Sequence, residues 1–167
     1  MRKIILFTAI AIVLVGCSRE KEYQNKFDAT LDEMGSIIML STPFIDGITN
    51  VWNKAISDRE YNGKYCSDFN EALADYIPKL HAIDGYAELK SRADSISIKV
   101  KALSDCPSKY KDAYNELAEL TPQVYEFFQL ASYPKGSLTS YSTKTKELYT
   151  QIGNKISAMK LKYINVK

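Results

Sequence analysis

Few residues in this sequence have the side-chain types and spacing that could do chemistry. His81 is the only histidine, so a serine triad or a histidine metal site would depend on that one imidazole. The sequence contains no GxSxG, HExxH, P-loop or GxGxxG motif, and no Glu-x-x-His pair of the kind that binds di-iron centres. His81 follows the apolar Leu80, which favours a boundary imidazole with a local hydrogen bond. We therefore expect a non-catalytic protein with no cofactor and no metal site.

Two cysteines in the body of the chain, Cys66 and Cys106, could form a disulfide in an exported protein. A straight helix of about 36 residues between them would hold its ends about 54 Å apart, whereas a disulfide needs Cα atoms within about 7 Å. A chain that folds back near Asp84 and Gly85 would instead bring both cysteines to the same end. The two possibilities are therefore linked, because the disulfide can form only if the chain adopts this helical hairpin. No histidine or third thiol accompanies the pair to form a metal site.

The remaining cysteine, Cys17, ends an apolar segment near the start of the chain. Arg2 and Lys3 precede this segment, which covers residues 4–15. It is shorter than the about 20 residues that a membrane-spanning helix needs, but it has the length of the apolar region of a secretory signal. The sequence LVGC at 14–17 resembles the bacterial lipobox, with a branched residue first, a small residue before the cut and the obligatory cysteine.

The resemblance implies a bacterial lipoprotein. A signal peptide at 1–16 would be removed, the thiol of Cys17 would carry a diacylglycerol, and residues 17–167 would form a single domain with a short tether at 17–22. Two or three acyl chains, palmitate among them, hold a protein stably on a membrane. We therefore expect a protein of the cell envelope, anchored to the cell membrane or the outer membrane and facing the periplasm or the exterior. An ordinary secretory signal is the alternative.

Apolar residues recur every three or four positions through most of the remaining chain, as is typical of amphipathic helices. The first stripe has one polar member and consists of Tyr23, Phe27, Leu31, Met34, Ile38, Ser41, Ile45, Ile48, Trp52 and Ala55. Further stripes begin at Phe69, Tyr110 and Leu138, and the stripe from Phe69 continues through Ile83 to Leu103. Because short connections make sequential helices antiparallel, the sequence predicts an all-α fold, an up-and-down bundle of about four helices with proline kinks. We expect no β-hairpin.

Polar residues and prolines indicate where the predicted helices begin and bend. Asp68 with Glu71 resembles a capping box, and a serine at 137 could cap the last helix. Pro43, Pro78 and Pro122 fall inside apolar stripes. Each proline therefore either kinks its helix or ends it, and at Pro43 the register continues across the residue, which favours a kink.

The charges of the mature chain balance. The precursor has 22 basic and 20 acidic residues, and removal of Arg2 and Lys3 with the signal leaves 20 of each. We therefore expect no nucleic-acid partner. The last helix is rich in lysine, and Lys144, Lys155 and Lys162 share roughly one face. These lysines either pack beside acidic helices, which is the interpretation we favour, or face anionic lipid or a polyanionic wall polymer.

Aromatic residues are abundant, with 12 tyrosines in the chain. The tyrosines on the apolar stripes are expected at the edge of the core with the ring buried and the hydroxyl in water, namely Tyr76, Tyr86, Tyr110, Tyr114 and Tyr141. The alternative is an aromatic groove for a ligand or partner, with Trp52 and Tyr61 near its mouth. The segments VWNKAI, SDFNEAL and YPKGSLTSYS resemble those of small helical lipoproteins of low-GC bacteria. Two functions follow as hypotheses: a lipid-anchored module that binds an envelope protein, or an envelope module that binds a small apolar ligand or wall polymer.

Overall fold

The computed structural model describes residues 2–164, and it describes their side chains from residue 19 onward. In chain order, the elements are helix α1 (Arg2–Ser57), strands β1 (Glu60–Tyr61) and β2 (Lys64–Tyr65), helices α2 (Phe69–His81) and α3 (Asp84–Lys101), a short 3-10 helix (Ser108–Tyr110), and helices α4 (Lys111–Ser132) and α5 (Leu138–Tyr163). The predicted all-α class is confirmed.

The first helix follows the predicted apolar stripe. All ten residues of that stripe, from Tyr23 to Ala55, are buried. Its one polar member, Ser41, is fully buried and donates a hydrogen bond of 2.7 Å to the carbonyl oxygen of Ile37. A buried hydroxyl that bonds to its own helix carries no unsatisfied donor into the core, which explains why serine is tolerated there.

The predicted second helix is two helices in the structure, so the described chain has five α-helices and not the predicted four. Helix α2 ends at His81 and α3 starts at Asp84. Ile83 between them has extended backbone and no side-chain cap, and 53% of its surface is exposed. The apolar pattern wrongly predicted Ile83 as a core residue, because its spacing continues across the break.

Helices α2 and α3 lie one after the other along α1 and run antiparallel to it. At the C-terminal end of α1, the ring centroids of Trp52 and Phe69 are 5.6 Å apart. Further back along α1, the guanidinium of Arg92 in α3 lies 3.1 Å from the carboxylate of Glu33. The break at residues 82–83 therefore interrupts the helix without folding the chain back on itself.

Helix α4 runs in the same direction as α1, and the two pack against each other in the middle of the bundle. Near its start, the Tyr110 and Tyr23 ring centroids are 4.9 Å apart. Near its end, Phe128 lies against Tyr86 of α3, with ring centroids 6.3 Å apart. Helix α4 thus also contacts α3 along its length.

Helix α5 returns antiparallel to α1 on the side away from α3. Tyr141 at its start is 5.6 Å from Trp52, and Tyr163 at its end is 6.0 Å from Phe27, measured between ring centroids. Ser137 caps this helix as predicted, with Ser140 completing a capping box. The core therefore lies between α1 and α4, flanked by α2 and α3 on one side and α5 on the other.

The three internal prolines do not end helices. Pro43 lies inside α1, Pro78 inside α2 and Pro122 inside α4. The alternative in which a helix ends at a proline is therefore wrong, whereas a bend at each proline stays a prediction.

A β-hairpin, which the sequence analysis excluded, joins α1 to α2. Glu60 pairs with Tyr65 and Tyr61 with Lys64, which leaves Asn62 and Gly63 as a two-residue loop. Both loop residues have positive φ, 52° and 72°, as a type I′ turn requires. The Asn-Gly pair was the available signal, but the strands are two residues long and show no apolar alternation.

Candidate functional site

The two cysteines of the body lie at opposite ends of the bundle and are both free thiols. Cys66 is buried in a small cluster with Ala55 near the end of α1. Cys106 follows Asp105, whose carboxylate lies 2.8 Å from the guanidinium of Arg19. Residues 19 and 55 of α1 are about 54 Å apart at 1.5 Å per residue. The predicted helical hairpin with a Cys66–Cys106 disulfide is therefore not present. Helix α3 continues along α1 in the same direction as α2 and does not fold back.

The side chain of Cys17 lies outside the described residues. The predicted tether, residues 17–22, belongs to α1. Within it, Arg19 pairs with Asp105, and Glu20 forms an ion pair with Lys109. The start of the predicted mature chain is thus attached to the bundle by side chains.

Two of the three predicted lysines of α5 lie beside acidic residues of a neighbouring helix, as in the interpretation that we favoured. Lys144 lies 3.0 Å from Glu126, and Lys162 lies 2.8 Å from Glu116. The hydrogen bond from Lys162 holds the pKa of the Glu116 carboxyl below its ordinary value. Lys155 is exposed and forms no ion pair with any residue that the structure describes. The three lysines therefore do not form one unpaired basic face.

The predicted aromatic groove does not include Trp52. That side chain is 2% exposed and packs between Phe69 and Tyr141 inside the core. Its indole N–H is buried and finds no hydrogen-bond acceptor among the residues that the structure describes. Tyr61, the other predicted residue, lies on the hairpin, so the two do not meet at a common opening.

His81 makes a long-range hydrogen bond rather than the local one that its boundary position predicted. Its Nε2 lies 3.2 Å from the carbonyl oxygen of Ser132 at the end of α4. Its ring stacks on Tyr86 at 4.1 Å and meets the edge of Tyr133 at 5.7 Å. The imidazole therefore joins the C-terminal ends of α2 and α4.

Backbone and sulfur hydrogen bonds hold the base of the hairpin. The amide of Cys66 donates to the carbonyl oxygen of Arg59 at 2.8 Å, and its thiol donates to the carbonyl oxygen of Asp68 at 2.9 Å. Asp68 caps α2 as predicted, although its side chain accepts from the amide of Asn70. The predicted partner, Glu71, receives a hydrogen bond from Ser67 instead. The hairpin is therefore fixed to the first turn of α2.

Tyr61 ties the hairpin to the outer face of α2. Burial raises the pKa of the Tyr61 hydroxyl, and its hydrogen bond with Asp75 raises it further. Asp75 also pairs with Lys79 one turn on, and this hydrogen bond holds the pKa of the Asp75 carboxyl below its ordinary value. The ammonium of Lys79 lies 5.9 Å from the centre of the Tyr61 ring. These contacts set the orientation of the hairpin.

Two cavities flank the hairpin. One, of about 330 Å³, lies toward α1 and is lined by Lys54 and Asp58. The other, of about 300 Å³, lies toward α2, and its lining residues include Asp75. Tyr61 and Asn62 line both. The hairpin with its two cavities is the candidate functional site, and of the predicted site residues it contains Tyr61 and Cys66.

The hairpin also presents an exposed aromatic side chain. Tyr65 is 73% exposed, and its hydroxyl accepts a hydrogen bond of 3.4 Å from Arg59. A large ring held in water on a fixed turn offers contact area at little loss of side-chain entropy when a partner binds.

Comparisons with known proteins found no likeness: no protein-family model matches the chain, and no curated protein or solved structure matches it. In the part of the chain that the structure describes, no helix has the length and apolar character needed to cross a membrane. The same residues contain no group of three or more histidine, cysteine, aspartate or glutamate side chains that could hold a metal ion.

Proposed function

We propose that this protein is a non-catalytic lipoprotein of the bacterial cell envelope, anchored by acylated Cys17, whose helical bundle binds a protein partner through the hairpin at 60–65. The lipobox-like sequence at 14–17 supports the anchor. The observation that carries the choice of surface is the exposed ring of Tyr65, held on a fixed turn beside two cavities.

The position of the hairpin supports an encounter away from the membrane. Helix α1 is continuous from Arg2 to Ser57. The 41 residues from Cys17 to Ser57 correspond to about 60 Å of helix. A bundle attached at its first residues would therefore present the hairpin at its opposite end, where a neighbouring envelope protein is accessible and the lipid surface is not.

The wall-polymer alternative has less support than the protein partner. A polyanion would need a row of unpaired cations, whereas Lys144 and Lys162 are already neutralised by Glu126 and Glu116. Of the three lysines predicted to share a face, only Lys155 has no ion pair with the described residues, and one such cation would supply little electrostatic attraction in physiological salt.

The test is site-specific photo-crosslinking in living cells with the full, acylated chain. A photoreactive phenylalanine analogue replaces Tyr65, and in a matched control it replaces Leu161, which is similarly exposed at 68% but lies at the other end of the bundle. A third sample carries the Tyr65 replacement together with Cys17→Ser.

We expect one envelope protein to be crosslinked from position 65, not from position 161, and only when the anchor is intact. Equal crosslinking from both positions, or crosslinking to lipid alone, would contradict the assignment of the hairpin as the partner surface.

A further inference from the structure

A groove between α1 and α5 carries charges that are not paired with each other. It has a volume of about 300 Å³ and includes Asp46 from α1 and Lys146 from α5. Neither side chain forms a hydrogen bond or ion pair with any residue that the structure describes, and both are exposed. By contrast, Lys160 and Lys162 of the same helix pair with acidic residues on neighbouring helices.

The α1 wall of the groove offers hydrogen-bond acceptors. The hydroxyls of Thr42 and Thr49 already donate to the carbonyl oxygens of Ile38 and Ile45, at 3.0 and 2.8 Å. Their oxygens therefore retain only acceptor capacity toward the groove. Asp46 adds a carboxylate between them on the same face, since residues at 42, 46 and 49 are spaced by four and three. Three acceptors match the three N–H donors of an ammonium group.

The α5 wall has the opposite character. Lys146 contributes an ammonium, and Ser142 contributes a hydroxyl that makes no hydrogen bond to the described residues. Both groups can donate to an anion, and the ammonium adds a charge-assisted bond. The hydroxyl of Thr145 on the same wall donates to the carbonyl oxygen of Ser142 at 3.0 Å, so its oxygen can only accept. The groove is thus polarised in charge, from the carboxylate on α1 to the ammonium on α5.

The remaining lining is apolar and aromatic. Phe127 of α4 is 2% exposed, and its ring centroid lies 6.2 Å from that of the half-exposed Tyr149. Ile45 also lines the groove. An apolar lining with a few convergent polar groups is the usual composition of a small-molecule site, and a volume near 300 Å³ is at the small end of that range.

We propose that the α1–α5 groove binds a small zwitterion with an apolar body, such as a free amino acid, with its ammonium group against Thr42, Asp46 and Thr49 and its carboxylate against Lys146. The aromatic lining takes the apolar body. The groove lies between α1 and α5, whereas the hairpin joins α1 to α2. Binding in the groove therefore does not depend on the partner proposed above.

The test is isothermal titration calorimetry on the full chain purified in detergent, with L-phenylalanine and L-leucine as probes. N-acetyl-L-phenylalanine lacks the ammonium group, and L-phenylalanine amide lacks the carboxylate. We expect saturable binding of at least one free amino acid. Loss of either charged group should weaken binding about tenfold, because each removes a charge-assisted hydrogen bond.

Variants separate the groove from the rest of the surface. Asp46→Asn and Lys146→Met should each weaken binding about tenfold, whereas Lys155→Met, an exposed lysine of α5 outside the groove, should leave it unchanged. Circular dichroism of each variant checks that it is folded. If neither amino acid shows saturable binding at concentrations up to about 10 mM, the proposal is overturned, because a specific site should have a Kd below that concentration. Binding that Asp46→Asn leaves unchanged would overturn it as well.

Discussion

The packing of α1 against α2 can be tested at Gly47, where the two helices come close. A Cβ atom added to Gly47 would lie 2.3 Å from the hydroxyl oxygen of Tyr76 in α2. At Gly35, also inside α1, an added Cβ would have no atom within 4 Å among the described residues, apart from its chain neighbours and the backbone of its own helix. The two glycines therefore differ in their surroundings while sharing the same helix.

The expected magnitudes follow from two opposing effects. Alanine in place of glycine inside a helix stabilises by about 1 kcal/mol, so Gly35→Ala should raise the free energy of unfolding by about that amount. At Gly47 the same gain is opposed by overpacking, which costs about 1–3 kcal/mol. Gly47→Ala should therefore leave the free energy of unfolding unchanged or lower it by up to about 2 kcal/mol.

Removal of the Tyr76 hydroxyl should restore the gain. Without that oxygen, the nearest ring atom to the new Cβ is 3.4 Å away, which is an ordinary contact. In a Tyr76→Phe background, Gly47→Ala should stabilise by about 1 kcal/mol, so the double-mutant cycle should give a coupling of about 1–3 kcal/mol.

Urea unfolding followed by circular dichroism measures each free energy, and an unchanged m value confirms that the variants unfold alike. If Gly47→Ala stabilises the otherwise unaltered protein as much as Gly35→Ala does, Tyr76 does not lie against α1 at this position.

Three further predictions concern single residues. Ile83→Asp should raise the free energy of unfolding by about 1 kcal/mol, because Ile83 is an exposed N-cap position with no side-chain bond; destabilisation in urea would instead place it in the core. Gly63→Ala should lower that free energy by about 1 kcal/mol, because its φ of +72° is left-handed; a neutral result in the same assay would contradict the hairpin turn. Lys162 lowers the pKa of Glu116 below 4.5, so the bond stabilises the fold above about pH 4.5 and this contribution is lost as pH falls through the folded-state pKa. Glu116→Gln should therefore lower stability slightly at pH 7 and leave it unchanged at about pH 2, as urea titrations at both pH values would show.

The apolar spacing predicted the helices well, because it reports which side of each helix faces the core. Every member of the first stripe is buried, and the caps at Asp68 and Ser137 form where the polar residues indicated. The spacing could not locate the break before α3, since Ile83 keeps the apolar register while its backbone leaves the helix. The hairpin was visible in principle from Asn62 and Gly63, because that pair adopts the positive φ values of a tight turn.

The candidate sites were harder to predict because they combine residues that are distant in sequence. The apolar stripe of α1 indicated that Trp52 faces the core, but only the positions of Phe69 in α2 and Tyr141 in α5 exclude the alternative of an open aromatic groove at this residue. Asp46 and Lys146 are 100 residues apart, and nothing in either segment indicates that they share a groove. Periodicity identifies the buried face of a helix but not which helix covers it. The sequence alone therefore could not predict that Lys162 pairs with Glu116.

The acylated N-terminus is the central claim, and the intact mass of the protein purified from a bacterial membrane fraction tests it most directly. We expect a chain that has lost residues 1–16 and carries a diacylglycerol on Cys17, with or without a further acyl chain. The Cys17→Ser protein should lack this mass and leave the membrane fraction. A membrane-bound protein that retains residues 1–16, or one with an unmodified Cys17, would contradict the anchor and the role proposed for it.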